Sequence, residues 1–169
     1  MKDQRIKLIC QGGIIAALYL ALTLLANALG LANYAVQVRF SESLTILPYF
    51  TPAAVPGLFV GCLLSNILTG CALPDIIFGS LATLIGAAAT YMLRNKSKWL
   101  APLPAIVSNA IIVPFVLLYA YGIEPLWFSF VTVTAGEIIS CGVLGMLLLN
   151  ALRKYDSVLF KEVMYLRDI

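Results

Sequence analysis

Long apolar stretches, separated by short polar segments, organise this chain from end to end. A helical span of a bilayer needs about 20 mostly apolar residues. We therefore expect a single membrane domain over residues 1–169, an all-α integral membrane protein built as a bundle of six transmembrane helices. The approximate spans are 6–31, 40–51, 53–70, 75–93, 100–121 and 126–152. No cleavable leader is expected before the first span, so residues 1–9 are interpreted as a retained cytoplasmic end.

The segment between residues 40 and 70 is the least regular part of this pattern. Thr51-Pro52 interrupts its apolar run, so it is either one kinked helix or two short helices. Two spans in so short a segment leave less than the usual length for each, so span two should be short, tilted or partly re-entrant. We expect Thr51-Pro52 at a cytoplasmic turn, because the residue before a proline disfavours helix.

Charge placement decides between five and six spans. Lysines and arginines cluster before span one, between residues 94 and 98, and in the C-terminal tail, and these clusters hold ten of the eleven cations. The positive-inside rule favours the cytoplasm for all three clusters. Only an even number of spans satisfies this, which predicts six spans with both the N and C termini cytoplasmic. Arg39 is left outside or within the fold.

Composition excludes several classes of protein. Of the residues, 62% are hydrophobic and 11% are charged, against about 25% charged in soluble domains. The net charge of +3 is explained by the cations that set the membrane topology and not by a basic patch for nucleic acid. No nucleic-acid partner is therefore expected. Histidine is absent, and the four cysteines show no CxxC spacing, so we predict neither a metal nor a disulfide. No P-loop, G-x-S-x-G or H-E-x-x-H motif occurs, so we predict no cofactor and no enzyme activity.

Glu137 is the first candidate for a functional residue. It lies near the middle of the apolar stretch 128–149, where a carboxylate costs several kcal/mol unless it faces a cavity, a partner or a substrate. Ser140 and Cys141 lie one helical turn away, and span five offers Asn109 at comparable depth. Two interpretations stay open: the group binds a ligand, or it forms an interhelical hydrogen bond that only holds the bundle together.

The outer ends of the spans carry the other acids and an isolated arginine. Arg39, Glu42, Asp75 and Glu124 map there and together suggest a polar entrance above Glu137. The simpler alternative is that Asp75 caps the start of span four and that Glu124 is a solvated turn residue.

Aromatic residues and small residues mark two further surfaces. Tyr34, Phe40 and Trp127 fall among the aromatics at predicted outer ends, where they form an interfacial belt, a stacking wall for a planar ligand, or both. Ala17 and Ala21 make an A-x-x-x-A step on span one, a spacing that lets helices approach closely. Such a step is routine inside one bundle, so alone it says little about a partner.

Four stretches of the chain resemble the QueT family. They are VQVRFSESLTILPYFTPAAVPGLF (36–59), PDIIFGSLATL (74–84), LAPLP (100–104) and GEIIS (136–140). The resemblance implies a substrate-binding S component of an energy-coupling-factor (ECF) transporter in the bacterial plasma membrane. It implies uptake of a queuosine precursor, a 7-deazaguanine such as 7-aminomethyl-7-deazaguanine, 7-cyano-7-deazaguanine or queuine. It also implies a ligand site toward the outer side of a six-helix fold.

Partner subunits are a further implication of the resemblance. S components associate with a transmembrane coupling subunit and two ATPase subunits, which fits the missing P-loop. In that superfamily a small-residue face on the first helix, commonly A-x-x-x-A, packs against the coupling subunit, and Ala17 and Ala21 match it. The remaining contacts of such a protein are membrane lipid and a small planar, nucleobase-like substrate.

The ligand class suits the candidate residues chemically. A deazaguanine has adjacent N–H donors that one carboxylate can accept in parallel, which suits Glu137, while an aminomethyl cation suits Glu42. Asn109 can pair with a ring carbonyl or a ring N–H. The predicted substrate-binding residues are Glu137, Asn109, Glu42, Arg39, Tyr34, Phe40, Trp127 and Ser140. The alternative function is a solitary or proton-coupled secondary transporter, in which Glu137 would be a titrating relay group.

Overall fold

Helices account for nearly all of the structured chain. The structure is a computed structural model and describes residues 2–30 and 39–155. Its elements are α1 (Lys2–Ala28), a 3₁₀ helix (Phe40–Tyr49), α2 (Ala54–Leu68), α3 (Leu73–Leu93), a 3₁₀ turn (Lys98–Leu100), α4 (Leu103–Tyr121), α5 (Leu126–Glu137), a π-helical stretch (Ile138–Leu144) and α6 (Gly145–Arg153). These two ranges contain no β-strand, so the all-α prediction is confirmed.

Four helical stretches in the described ranges are long and apolar enough to cross a membrane. They are Gln4–Ala28, Leu73–Leu93, Lys98–Tyr121 and Leu126–Arg153. The last of them is one continuous run formed by α5, the π-helical stretch and α6. The six-span count depends on the two shorter elements, α2 and the 3₁₀ helix Phe40–Tyr49.

The 3₁₀ helix shows how residues 40–70 accommodate two elements. Its ten residues reach about 20 Å at the roughly 2.0 Å rise of a 3₁₀ helix, whereas an α-helix of that length would reach about 15 Å. The local sequence favours this form. The hydroxyls of Ser43 and Thr45 donate to the carbonyls three residues earlier, Phe40 and Glu42, both at 2.6 Å, and Pro48 has no N–H for an α-helical bond.

Thr51-Pro52 lies in the turn between the 3₁₀ helix and α2, as the sequence predicted for a break at this position. The Thr51 amide donates to the Leu47 carbonyl at 3.1 Å. Its buried hydroxyl accepts from the Ala53 amide at 3.3 Å and donates to the Gln11 side chain of α1 at 3.1 Å. The turn is therefore tied to α1 as well as to the two elements that it joins.

Close contact between α1 and α2 depends on two glycines. A Cβ on Gly57 would come within 2.7 Å of the Gly12 carbonyl oxygen, and one on Gly61 within 2.8 Å of the Tyr19 Cβ. Gly57 and Gly61 form a G-x-x-x-G step, which lets two helical backbones approach closely. The small-residue face of α1 that packs inside the bundle is thus the one with Gly12 and Ala16.

The 3₁₀ helix is the central element of the bundle. It contacts α1, α2, α3, α6 and the π-helical stretch, and it contributes Leu44, Ile46 and Leu47 to the buried core. Because its backbone lies among the other helices, a polar residue at its start points into the interior rather than toward lipid. This arrangement positions Glu42.

Candidate ligand-binding site

Four polar residues from distant parts of the sequence line one pocket. Arg39 precedes the 3₁₀ helix, Glu42 lies in its first turn, Asn109 lies on α4 and Glu137 ends α5. The three last-named are 2%, 3% and 9% exposed. The rest of the lining comes from Gly79, Thr83, Val113 and Val133. The cavity measures about 20 Å³, which is room for one water molecule.

Glu42 is held from the α1 side. The buried Tyr19 hydroxyl donates a short hydrogen bond to Glu42 Oε1. The other oxygen, Oε2, is buried and has no hydrogen-bond partner within residues 2–30 and 39–155. A second link lies next to it, because the Thr23 hydroxyl donates to Ser41 Oγ at 2.8 Å. Glu42 therefore has one oxygen oriented by α1 and one acceptor still available.

Glu137 lies where the α-helix gives way to the π-helical stretch Ile138–Leu144. Such stretches widen a helix by one residue and occur often at functional sites. The buried Cys141 thiol lies 3.1 Å from Glu137 Oε2 and 3.3 Å from the Glu42 carbonyl oxygen, so its proton can be donated to either. The Thr45 hydroxyl oxygen, whose proton is donated to the Glu42 carbonyl, lies 3.3 Å from the same sulfur. Cys141 thus connects the segments that carry the two acids.

α4 and α3 supply the opposite wall. The Asn109 side chain lies beside both carboxylates, and Pro114 on the same helix leaves the carbonyl one turn earlier without its usual amide donor. On α3, Gly79 lines the pocket, and its missing Cβ leaves space for the Asp75 side chain, since a Cβ there would come within 3.0 Å of Asp75 Oδ1. The backbone of α4 can therefore change shape near Asn109. On the α3 side, the backbone itself lies at the pocket wall at Gly79.

Arg39 connects the pocket to Asp75, which is not among the described residues of its lining but interacts with the guanidinium. The Arg39 guanidinium is close enough to interact electrostatically with both Asp75 and Glu42. Asp75 Oδ2 accepts a hydrogen bond from the Tyr121 hydroxyl at 3.2 Å, and that hydroxyl accepts from the Ala72 amide at 3.0 Å. Asp75 lies in the first turn of α3, after the N-cap position Ala72, so the interpretation that it stabilises the start of this helix stays open. Glu124 is exposed between α4 and α5.

Three other predicted binding residues, Ser140, Phe40 and Trp127, are not among the described residues that line this pocket. Ser140 is buried with its hydroxyl unpartnered within the described ranges, and Phe40 is half-buried at the start of the 3₁₀ helix. Trp127 is 67% exposed and packs edge-on against Phe128, with ring centroids 6.1 Å apart, as an interfacial belt residue would. Tyr34 lies outside the described residues.

Two residues at the site were not predicted from the sequence. Tyr19 contacts Glu42 from the middle of α1, and Thr83 lines the pocket from α3. A tyrosine far from either end of a span is unusual, because tyrosines concentrate at the interfaces. That position was the available indication for Tyr19. Thr83 is a small residue within an apolar helix, and nothing in the sequence distinguishes it from its neighbours.

The acids and the thiol could also be considered as metal ligands. Glu42, Glu137 and Cys141 offer three ligand atoms within 4.8 Å of one another. The set mixes hard carboxylates with one soft thiol, whereas Mg²⁺ and Ca²⁺ favour oxygen donors and soft ions favour thiolates. The prediction that no metal is bound remains a prediction. The more general property of the cluster is that it attracts a cation.

The exposed side of α1 is separate from this pocket. Ala17 and Ala21 are both exposed in the isolated chain, whereas Ala16 and Tyr19 face the bundle. The flanking residues Ile14 and Leu18 are exposed as well. This side of α1 is therefore apolar, carries small side chains at Ala17 and Ala21, and is available to lipid or to another protein.

Comparison with known proteins gives two matches. A family profile described as "QueT transporter" matches residues 9–154. The chain is also similar to the "Queuosine precursor transporter QueT" of Lactococcus lactis subsp. cremoris (strain MG1363), at 31% identity over 85 residues. That alignment covers 50% of this chain and 50% of the relative, so the chain matches about half the length of that protein. No solved structure matches.

Proposed function

Because this chain belongs to the QueT transporter family, we propose that it is the substrate-binding S component of an ECF importer for a queuosine precursor. The cargo is a small base of the 7-deazaguanine class, and the importer lies in the bacterial plasma membrane. The convergence of Glu42, Asn109 and Glu137 with Arg39 in one buried pocket carries the proposal. Ionisable groups buried within membrane spans are costly and mark substrate or ion pathways in many transporters.

The pocket supplies the chemistry that a deazaguanine needs. Its carboxylates accept N–H donors, and the Asn109 amide can both donate and accept. A bicyclic base is several times larger than one water molecule, so binding requires side chains to move apart. The π-helical stretch after Glu137 and the proline in α4 are the points where the backbone can adjust.

The topology completes the proposal. Six spans with both termini cytoplasmic require the 3₁₀ helix and α2 to cross as a pair. The 3₁₀ helix reaches about 20 Å, and the 15 residues of α2 reach about 22 Å. We propose that Ala17 and Ala21 contact the coupling subunit, which their exposure supports. Two ATPase subunits would supply the energy, since the sequence has no P-loop.

Calorimetric titration of the purified chain tests the ligand class. Queuine, 7-aminomethyl-7-deazaguanine, guanine and several vitamins are titrated against the wild type and against Glu137→Gln. We expect a deazaguanine to bind most tightly, with a loss of roughly 10- to 150-fold in the variant, because a hydrogen bond to a charged group is lost. Unchanged affinity in the variant, together with lower thermal stability with and without ligand, would indicate a structural glutamate.

The alternative is a solitary or proton-coupled secondary transporter, in which Glu137 would be a titrating relay group, because buried acids form proton relays in transporters. Uptake into vesicles separates the two functions. Import that needs the coupling subunit, the ATPases and ATP supports the S component. Import by this chain alone, driven by a proton gradient, would identify a secondary transporter.

A further inference from the structure

The pocket has an excess of negative charge. Among the described residues of its lining, Glu42 and Glu137 face one cation, Arg39, so these three groups carry one net negative charge when all are ionised. Arg39 also interacts electrostatically with Asp75, so its one positive charge is shared among three carboxylates. Charges buried in a membrane protein are normally paired, so binding of one more positive group in the pocket is electrostatically favourable.

The spacing of the two acids allows both to contact one ammonium group. A ligand oxygen of Glu42 and one of Glu137 lie within 4.8 Å of each other. An ammonium group makes N–H···O contacts of about 2.8 Å, and two acceptors at tetrahedral directions around it are then about 4.6 Å apart. One oxygen of each acid is therefore near enough to the other for both to contact the same ammonium nitrogen.

The buried oxygen of Glu42 supports this independently. Tyr19 occupies Oε1, while Oε2 is buried and unpartnered within the described ranges. Leaving a buried carboxylate oxygen without a donor is costly, and native structures rarely do so without a reason. A charged donor compensates that oxygen more fully than a neutral one, because charge-assisted hydrogen bonds are about twice as strong.

Resting on the function proposed above, we propose that Glu42 and Glu137 act as a pair that binds a protonated amine, so that the site selects 7-deazaguanines carrying an aminomethyl-type substituent. This differs from the division predicted from the sequence, in which Glu137 held the base edge and Glu42 held the amine. Asn109, which lies beside both carboxylates, is then the group left to contact the base. Neutral precursors with the same ring should bind more weakly.

Two ligands of nearly the same shape test the pair. 7-Aminomethyl- and 7-hydroxymethyl-7-deazaguanine share the ring and differ in charge, and the 7-cyano compound adds a second neutral member. We expect the wild type to prefer the amine by roughly 10- to 150-fold. Glu42→Gln and Glu137→Gln should each remove most of that preference while changing affinity for the hydroxymethyl compound little. Glu124→Gln, at an exposed acid outside the pocket, is the matched control and should retain it.

Each outcome has a distinct meaning. Equal affinity of the wild type for the amine and the hydroxymethyl compound would overturn the pair and leave the proposed function in place. An equal loss for both ligands in Glu137→Gln would assign that residue to the base edge and also overturn the pair. Failure to bind any deazaguanine would overturn both proposals. Binding of Mg²⁺, Mn²⁺ or Zn²⁺ alone, abolished by a chelator, would instead identify a metal site. The wild-type comparison needs no variant, so a misfolded variant does not affect it.

Discussion

The hydrogen bond from Tyr19 to Glu42 connects α1 to the candidate site, and Tyr19→Phe removes it with one atom. The tyrosine is 1% exposed, so no solvent replaces the lost donor. Glu42 Oε1 would lose the Tyr19 hydroxyl, and Oε2 has no hydrogen-bond partner within the described ranges. A hydrogen bond to a charged group contributes about 1.5–3 kcal/mol, so the upper limit of the loss in amine affinity is roughly 10- to 150-fold. We expect a loss of at least about 5-fold, because the freed carboxylate must be reoriented on binding.

A double-mutant cycle distinguishes positioning from general destabilisation. If Tyr19 acts through Glu42, Tyr19→Phe should weaken binding of 7-aminomethyl-7-deazaguanine in the wild type but hardly change it in a Glu42→Gln background. Titration calorimetry on the four proteins measures the coupling. Tyr119→Phe is the matched control, since Tyr119 is 81% exposed and should bind as the wild type does. Additive losses from Tyr19→Phe and Glu42→Gln would refute the reasoning.

Three further predictions concern docking, packing and topology. Ala17→Leu or Ala21→Leu should abolish ATP-driven uptake by the assembled importer while the isolated chain still binds ligand, and loss of binding would contradict this. Gly61→Ala should lower the thermal unfolding temperature, because its Cβ would come within 2.8 Å of an atom of α1, whereas Gly13→Ala, with nothing within 4 Å, should not; fluorescence-monitored melting in detergent compares them. Ser97→Cys, in a background without Cys10 and Cys71, should react with a membrane-impermeant maleimide only after the membrane is opened, and labelling from outside intact cells would exclude the six-span topology.

The sequence predicted the polar centre of the site because charge is conspicuous in an apolar chain. Glu137 and Asn109 stand out within their spans, and the structure brings them together with Glu42 and Arg39. The cost of burying such groups makes each one informative without any three-dimensional information. Tyr19 was not predicted, because burying a phenol in an apolar helix costs far less free energy than burying a carboxylate. Its unusual position, far from either end of the span, is a weaker signal.

Backbone geometry was harder to anticipate. The sequence indicated that residues 40–70 were too few for two ordinary spans, but the remedy depends on packing. A ten-residue 3₁₀ helix is unfavourable in isolation, because its hydrogen-bond geometry is poor and side chains three residues apart eclipse each other. It persists here with other helices packed around it. The π-helical stretch after Glu137 likewise has no pattern of its own among the apolar residues 138–144.

The two surfaces of α1 explain why binding and docking should be separable. At 3.6 residues per turn, Tyr19 is rotated by about 200° from Ala17, and Ala21 by about 200° from Tyr19. The alanines therefore share one side of the helix while the tyrosine faces the opposite side, where it meets Glu42 and closely approaches Gly61. A bulky side chain at Ala17 enlarges only the outer surface and leaves the contacts of Tyr19 in place. An effect of that change on ligand affinity would have to pass through the whole helix, and α1 is fixed against α2 at its glycine contacts, so we expect transport to fail without loss of binding.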